Sequence, residues 1–283
     1  MTNRLLSVAA GTLRGAEPVD MVIAVARAGF DAIGFGFEHR YLSPRELAEI
    51  ARRLEDTAIS VLDIEVVRIA PNDDNEVARR LVEYGAVLGA KHLLVVSNDG
   101  DQLRTADRFA EICAIAADAK IRPVLEFMAF TSVTSLDSAV AIVEQSGAKD
   151  GGVLIDSLHL ARCGDLAKDI ASFPPDLFPY AQISDGPARA PSTRDLLANE
   201  ARHERLMPGD GDLSIGELIL ALPPMTALSI EVLSDALDDL DLSIRTSLTM
   251  EASRKMLESI GEVRVSQPSY DTDAVHAGMT ECE

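Results

Sequence analysis

Short hydrophobic runs alternate along the chain with longer segments in which apolar residues recur at helical spacing. Eight runs have the length and composition of β-strands, and they cover Leu5–Ala9, Ala32–Gly36, Ser60–Val66, His92–Val96, Pro123–Phe127, Gly152–Asp156, Phe178–Ile183 and Ala227–Val232. Helices are predicted between them, several beginning with Ser, Asp or Pro; examples are Pro18–Ala28, Pro44–Asp56, Asn75–Leu88 and Thr105–Ala119.

The repeated order of strand then helix predicts a parallel sheet, and eight such units close a (β/α)8 TIM barrel of the α/β class. An open doubly wound sheet is the alternative, but Gly34-Phe35-Gly36 lacks the third glycine of a dinucleotide-binding fingerprint. No change in composition marks a linker, so we expect one barrel domain over residues 1–265. The polar segment 266–283 is expected to be a mobile tail.

Composition narrows the classes of partner. The 283 residues are 47% hydrophobic, which fits a globular protein, and 26 Lys and Arg against 46 Asp and Glu give a formal charge of −20. Such a charge repels nucleic acid and anionic membranes, so neither is an expected partner. No apolar stretch is long enough to span a membrane. An odd number of cysteines without metal-type spacing, and too short an apolar run at the amino terminus for a secretory signal, favour a cytoplasmic protein.

The predicted fifth to eighth strands carry oxygen-bearing side chains at their ends, namely Glu126, Asp156, Gln182 and Glu231. In a barrel these ends meet at one mouth, where active sites are built. Three carboxylates and one amide oxygen suit one divalent ion of the hard type, Mg²⁺, Mn²⁺ or Co²⁺. The alternative is that each acidic residue only caps the helix that follows its strand.

His159 lies three residues after Asp156, just beyond a predicted strand end. Its ordinary pKa near neutrality suits a general base, although a histidine in this position can also cap a helix or bond a loop carbonyl. Glu126 and Glu231 are second candidates for the acid or base, because metal binding lowers the basicity of a carboxylate.

Arginines near the mouth are candidates for binding a carboxylate or phosphate of the substrate. Arg68 follows the third strand, and Arg202 and Arg205 lie in the long connection Ser184–Asp212, together with His203. Long connections of this kind are often functional loops. The alternative for each of these side chains is a solvated charge in a loop.

From about Val61 to Asp235, the chain resembles the xylose-isomerase-like barrel enzymes, a family that includes sugar and sugar-phosphate isomerases and epimerases, inosose dehydratase and 3-dehydroshikimate dehydratase. The passages that carry the resemblance are Ser97-Asn98, Gly152-Val-Leu-Ile-Asp156-Ser-Leu-His159, Gln182-Ile-Ser-Asp185-Gly-Pro187, Arg202-His203-Glu-Arg205, Pro208-Gly-Asp-Gly211 and Leu228-Ser-Ile-Glu231. The resemblance implies a divalent cation held by the four strand-end residues. Most isomerases of the family have histidine where this chain has Gln182, whereas bacterial 3-dehydroshikimate dehydratases are similar to it in having glutamine.

Three functions follow as expectations. The first is an isomerase or epimerase that removes a proton from a sugar or related hydroxy-ketone and forms a metal-stabilised enediolate. The second is a lyase that dehydrates a substrate of the 3-dehydroshikimate or inosose type after the same first step. The third is a barrel that binds a ligand without chemistry. The partner in each case is a small molecule, a polyhydroxylated ketone or keto acid, and a homo-oligomer is compatible with the sequence.

Overall fold

The computed structural model describes residues 4–72 and 74–262. Eight parallel strands, paired in chain order, form a closed barrel. They are β1 (Leu6–Val8), β2 (Ala32–Gly36), β3 (Ser60–Ile69), β4 (His92–Ser97), β5 (Arg122–Glu126), β6 (Gly152–Asp156), β7 (Tyr180–Ile183) and β8 (Ala227–Ile230). The predicted (β/α)8 barrel is therefore confirmed.

Helices follow the strands and cover the outside of the barrel. They are α1 (Pro18–Ala28), α2 (Pro44–Thr57), α3 (Glu76–Leu88), α4 (Gln102–Ala116), α5 (Leu136–Ser146), α6 (Ser157–Cys163), α7 (Arg194–His203), α8 (Ile215–Ala221), α9 (Asp235–Asp238) and α10 (Leu242–Ser259). The sequence signals explain some boundaries. Helix α2 begins with a capping box between Ser43 and Glu46, with Pro44 in the first turn.

The main core lies between the strands and the helices, where Leu6 and Val8 of β1 belong to the same buried cluster as Val22 and Val25 of α1. A second cluster, made mostly of strand residues such as Leu94, fills the barrel interior. Alternating side chains along each strand supply the two clusters, as the period of a β-strand requires.

One side of the barrel interior is polar. Ser7 on β1 pairs in register with Ser229 on β8, and Ser229 pairs with Gln182 on β7. All three side chains are fully buried. The opposite strands instead contribute apolar side chains such as Val124 and Leu154. The polar row runs directly into the candidate site, since Gln182 belongs to both.

The sequence prediction differs from the structure in several boundaries. Strand β3 continues to Ile69, so Arg68 lies within the strand rather than after it. The connection Ser184–Asp212 contains helix α7, which has too few apolar residues to be recognised from the pattern. The predicted mobile tail, residues 266–283, lies outside the described residues. Within the described ranges no helix combines the length and apolar character needed to cross a membrane.

Candidate active site

Four oxygen-bearing side chains meet at the carboxyl ends of β5 to β8. Glu126 and Asp156 are the last residues of β5 and β6, Gln182 lies in β7, and Glu231 directly follows β8. At most 7% of any of these residues is exposed to solvent. Donor atoms of Glu126, Asp156 and His159 all lie within 4.8 Å of one another, a spacing that could hold a metal ion.

The amide of Gln182 offers an oxygen to this site. Its Nε2 donates a hydrogen bond to Oε1 of Glu231 at 3.3 Å. Its Oε1 is buried and has no hydrogen-bond partner among the described residues. Because an unpartnered buried oxygen costs free energy, this atom fits the role of a cation ligand.

Arg205 is the cationic side chain that contacts this group of acids. Nη1 of Arg205 lies 2.6 Å from Oδ2 of Asp156, and Nη2 lies 3.1 Å from Oε2 of Glu231. Burial alone would raise the pKa of Asp156, but Arg205 and His159 outweigh it and lower that pKa. One guanidinium faces three carboxyl groups, so it offsets their mutual repulsion only in part.

The pKa values of the other two carboxyl groups are raised instead of lowered. Burial, followed by repulsion from Asp156 and Glu231, raises the pKa of Glu126 well above its ordinary value. Burial also raises the pKa of Glu231 to about 8, although Arg205 opposes the rise. A divalent cation would relieve this repulsion between the carboxyl groups, and the unpartnered Oε1 of Gln182 would be a ligand to it. The residues present therefore fit one divalent cation.

His159 is held in place by the start of helix α6. Its backbone N–H donates to Oδ1 of Asp156 at 2.9 Å, which caps the helix. Its imidazole is 3.8 Å from Glu126 and 5.5 Å, in an edge contact, from the ring of Phe130. Asp156 can therefore cap a helix and also belong to the candidate cation site, because Oδ1 caps α6 while Oδ2 lies among the other polar groups of the site.

The imidazole of His159 is neutral. Burial lowers its pKa to about 4. Nη2 of Arg205 lies 3.3 Å from Nε2 of His159, and arginine can only donate, so Nε2 is the unprotonated nitrogen. The lone pair of Nε2 therefore points at Arg205, and a neutral imidazole is the form required of a general base.

The candidate substrate-binding residues do not all reach the cleft. A cavity of about 210 Å³ is lined by Glu126 and Glu231 of the four oxygen donors, and also by Arg68, Arg202 and Arg205. His203 is not among its described lining residues. The imidazole of His203 is exposed instead and contacts Oδ1 of Asp235 at 2.9 Å.

The three arginines differ in their partners. Arg68 pairs with Glu38 at 2.9 Å, and Arg205 is buried against the acids. The guanidinium of Arg202 lies 5.6 Å above the ring of Phe130, and no carboxylate of a described residue lies within ion-pair distance of it. Arg202 is thus the arginine of the cleft that is free to bind an anionic group.

A larger chamber of about 510 Å³ adjoins this cavity on the side of β1 and β2. The two spaces share Gly11, Glu65 and Val66 as lining residues. The floor of the chamber includes the buried rings of Phe35 and Phe37. The mouth of the barrel is therefore one cleft with two lobes, and Glu65 stands where the lobes meet.

Sequence reasoning did not assign roles to Phe130, which contacts both His159 and Arg202, or to Asp63, a buried acid inside β3. Phe130 follows Glu126 by four residues, and that proximity to a strand end was the available signal. Asp185 accepts hydrogen bonds from the backbone N–H groups of Gly209 and Leu213 and so organises the loop after β7.

Comparisons with known proteins agree with this architecture. A family model described as "Xylose isomerase-like TIM barrel" matches residues 22–257. A curated 3-dehydroshikimate dehydratase of Pseudomonas aeruginosa is 28% identical over 252 residues, which is 81% of this chain and 38% of that protein. The chain thus spans well under half the length of this curated relative.

Solved structures share the fold at low identity. A xylose isomerase-like TIM barrel/4-hydroxyphenylpyruvate dioxygenase fusion protein superposes with a TM-score of 0.76 at 21% identity, covering 94% of this chain and 46% of that one. The IolI protein with a bound zinc atom superposes with a TM-score of 0.78 at 17% identity, covering 90% and 98%. The family match covers most of the chain, and this protein belongs to the xylose isomerase-like TIM barrel family.

Proposed function

We propose that this protein is a metal-dependent lyase that removes a proton beside the carbonyl of a hydroxylated keto acid and then eliminates water. The observation that carries the proposal is the neutral imidazole of His159, whose unprotonated Nε2 lies among the carboxylates of the candidate cation site. Proton removal beside a carbonyl needs such a base next to an electrophile.

Glu126, Asp156, Gln182 and Glu231 would hold one divalent cation, with Mg²⁺, Mn²⁺ and Co²⁺ as the ions suited to all-oxygen ligands. When bound, the cation would polarise the substrate carbonyl and make the adjacent C–H more acidic. The protein supplies the remaining functions.

His159 accepts the proton at Nε2 once the hydrogen bond from Nη2 of Arg205 to that nitrogen has been given up. Its backbone hydrogen bond to Asp156 fixes the position of the residue at the start of α6, and its imidazole contacts the ring of Phe130 edge-on. Arg205, within 3.3 Å of the same nitrogen, stabilises the electron-rich substrate once the proton has left, since an arginine stays charged at every relevant pH.

Arg202 binds the anionic end of the substrate. Its guanidinium faces the cleft over Phe130 without an acidic partner among the described residues. Arg68 is a weaker candidate, because Glu38 already occupies its guanidinium at 2.9 Å. A carboxylate bound by Arg202 favours a keto acid over an uncharged ketose.

Isomerisation or epimerisation, the first expectation from the sequence, shares the step of proton removal. Dehydration is favoured by Gln182, which matches the glutamine expected in bacterial 3-dehydroshikimate dehydratases, and by the curated relative of that name. The epimerases among the structural neighbours are at most 17% identical and support the fold alone.

The test incubates the Mn²⁺-loaded protein in D₂O with 3-dehydroshikimate, an inosose and several ketoses, and follows dehydrated product by absorbance and deuterium in recovered substrate by mass spectrometry. We expect dehydration of a keto acid or inosose, and its loss in Asp156→Asn and His159→Asn. Asp107→Asn, an exposed aspartate of α4, is the matched control. Exchange or isomerisation without dehydration would favour the isomerase, and no reaction with any compound would favour the non-catalytic barrel.

A further inference from the structure

A second pair of carboxyl groups lies in the barrel, outside the candidate cation site. Asp63 and Glu65 belong to the same strand, β3, and are separated by one residue. Asp63 is fully buried, and neither of its carboxylate oxygens has a hydrogen-bond partner among the described residues. Glu65 is partly exposed and lines both lobes of the cleft.

The two carboxyl groups interact. Burial raises the pKa of Glu65 to about 8, and repulsion from Asp63 is the next cause. Burial raises the pKa of Asp63 to about 7. Because Asp63 is buried and neighbours Glu65, the two carboxyl groups do not both ionise near neutral pH, so the pair retains a proton.

The carboxyl group of Asp63 is enclosed by neighbouring residues inside the barrel and is shielded from solvent. A side chain on Gly34 of β2 would place its Cβ 2.7 Å from Oδ1 of Asp63, so the absence of a side chain there makes room for the acid. The buried hydroxyl of Tyr180 is near enough to lower the pKa of Asp63, in opposition to burial. Among the described lining residues of the two lobes, Glu65 is present and Asp63 is not.

Glu65 and the proposed base line the same cavity from different parts of the barrel. The barrel places β4 and β5 between β3, which carries Glu65, and β6, which His159 follows. Both residues line the same cavity of about 210 Å³. A ring-shaped substrate in this cavity has His159 toward one side and Glu65 toward another.

An elimination needs a proton at each of two places. The base removes one beside the carbonyl, and an acid supplies one to the departing hydroxyl, which is otherwise a poor leaving group. His159 accounts for the first. Glu65 is a carboxyl group of the cavity that contacts neither Arg205 nor the four cation-binding candidates through a hydrogen bond or an ion pair between described residues.

We propose that Glu65 donates the proton to the departing β-hydroxyl in the elimination, and that Asp63 is a positioning residue that keeps that proton on Glu65. The proposal rests on the lyase proposed above. In the step, the electron pair left by C–H cleavage forms the carbon–carbon double bond, the C–O bond breaks, and the oxygen takes the proton of Glu65 and leaves as water. Glu65 regains a proton from solvent and His159 loses one to it, so the protein ends as it began.

The test separates the two proton transfers. Wild type, Glu65→Gln and Asp63→Asn, loaded with Mn²⁺, are incubated with 3-dehydroshikimate in D₂O, and both dehydrated product and deuterium in the recovered substrate are measured. We expect Glu65→Gln to lose about 100-fold or more in dehydration, the usual contribution of a general acid, while deuterium still enters the substrate. Glu65→Asp should recover part of the dehydration rate, and Asp63→Asn should lower the pH at which that rate declines on the alkaline side.

Glu49→Gln, an exposed glutamate of α2, is the matched control, and thermal unfolding establishes that every variant is folded. Dehydration by Glu65→Gln within threefold of wild type would overturn the proposal. An equal loss of exchange and dehydration in a folded variant would also overturn it, because Glu65 would then act on the first proton transfer. A wild type that neither exchanges nor dehydrates would overturn the lyase itself, and this proposal with it.

Discussion

Arg205 and Asp156 form an ion pair that is almost completely removed from solvent. Nη1 of Arg205 is 2.6 Å from Oδ2 of Asp156, and their side chains are 3% and 0% exposed. The same carboxyl groups belong to the candidate cation site, so Arg205 and a divalent cation would both interact with them. The stability of the barrel and the binding of a metal are therefore linked at this position.

Replacement of Arg205 should reveal that link. In metal-free protein, Arg205→Met leaves buried acids without their positive partner, and we expect the free energy of unfolding to fall by about 3–5 kcal/mol. Mn²⁺ should restore part of the loss. Urea denaturation measures both, with Arg52→Met, which removes the exposed pair with Asp56, as a control that changes stability by about 1 kcal/mol or less. An Arg205→Met protein as stable as wild type would contradict the prediction.

A divalent cation should stabilise the wild-type protein. Binding only to the folded state adds about 2.7 kcal/mol at a free concentration 100 times the Kd, so the melting temperature after EDTA treatment should rise when Mn²⁺ or Co²⁺ is added. Asp156→Asn should abolish the rise, whereas Asp107→Asn should retain it. A melting temperature insensitive to every divalent ion would argue against the site.

The glutamine at position 182 should set the preference among metals. In Gln182→His, an imidazole replaces an amide oxygen, and imidazole favours zinc over magnesium. We expect the ratio of Zn²⁺ to Mg²⁺ affinity to increase about tenfold or more, as measured by competition titration. Gln102→His, at the exposed start of α4, controls for adding a histidine. An unchanged ratio would show that Gln182 does not contact the ion.

The sequence predicted the barrel because eight apolar runs of strand length alternate with segments of helical spacing, and strand-end positions placed Glu126, Asp156 and Glu231 at one mouth. It placed Arg205 near the mouth but did not predict its ion pairs with Asp156 and Glu231, since those pairs depend on the path of the loop after β7. Helix α7 escaped recognition for a related reason. Its buried Glu200 is stabilised by Arg162 of α6 at 2.7 Å, a partner that local periodicity does not reveal.

The residues that surround Asp63 could not be predicted from the sequence either. A shift in register between Ile33 and Gly34 of β2 brings Gly34 opposite Asp63. Alternation along β3 alone does not reveal this shift, because it depends on how two strands pair. Features carried by single strands were therefore predictable, whereas features made by two elements were not.

His92 should make the protein less stable in acid. Burial lowers the pKa of His92 to about 4, whereas the unfolded chain has the ordinary value near 6.5. Between these values the unfolded state binds a proton that the folded state does not, so this contribution to stability is present above pH 6.5 and is lost as the pH falls toward 4. The shift corresponds to about 3 kcal/mol at most.

His92→Phe should remove this dependence. The replacement ring can keep the stacking on Tyr180, whose ring centroid lies 4.9 Å away, and it removes the buried Nδ1 that has no partner among the described residues. Relative to wild type, the variant should therefore gain stability progressively as the pH falls from 6.5 to 4, measured by urea denaturation at several pH values. His39→Phe is the matched control, because 88% of its side chain is exposed and folding removes little of its hydration. A difference between His92→Phe and wild type that stays constant over this range would mean that burial of His92 does not govern the acid limb of stability.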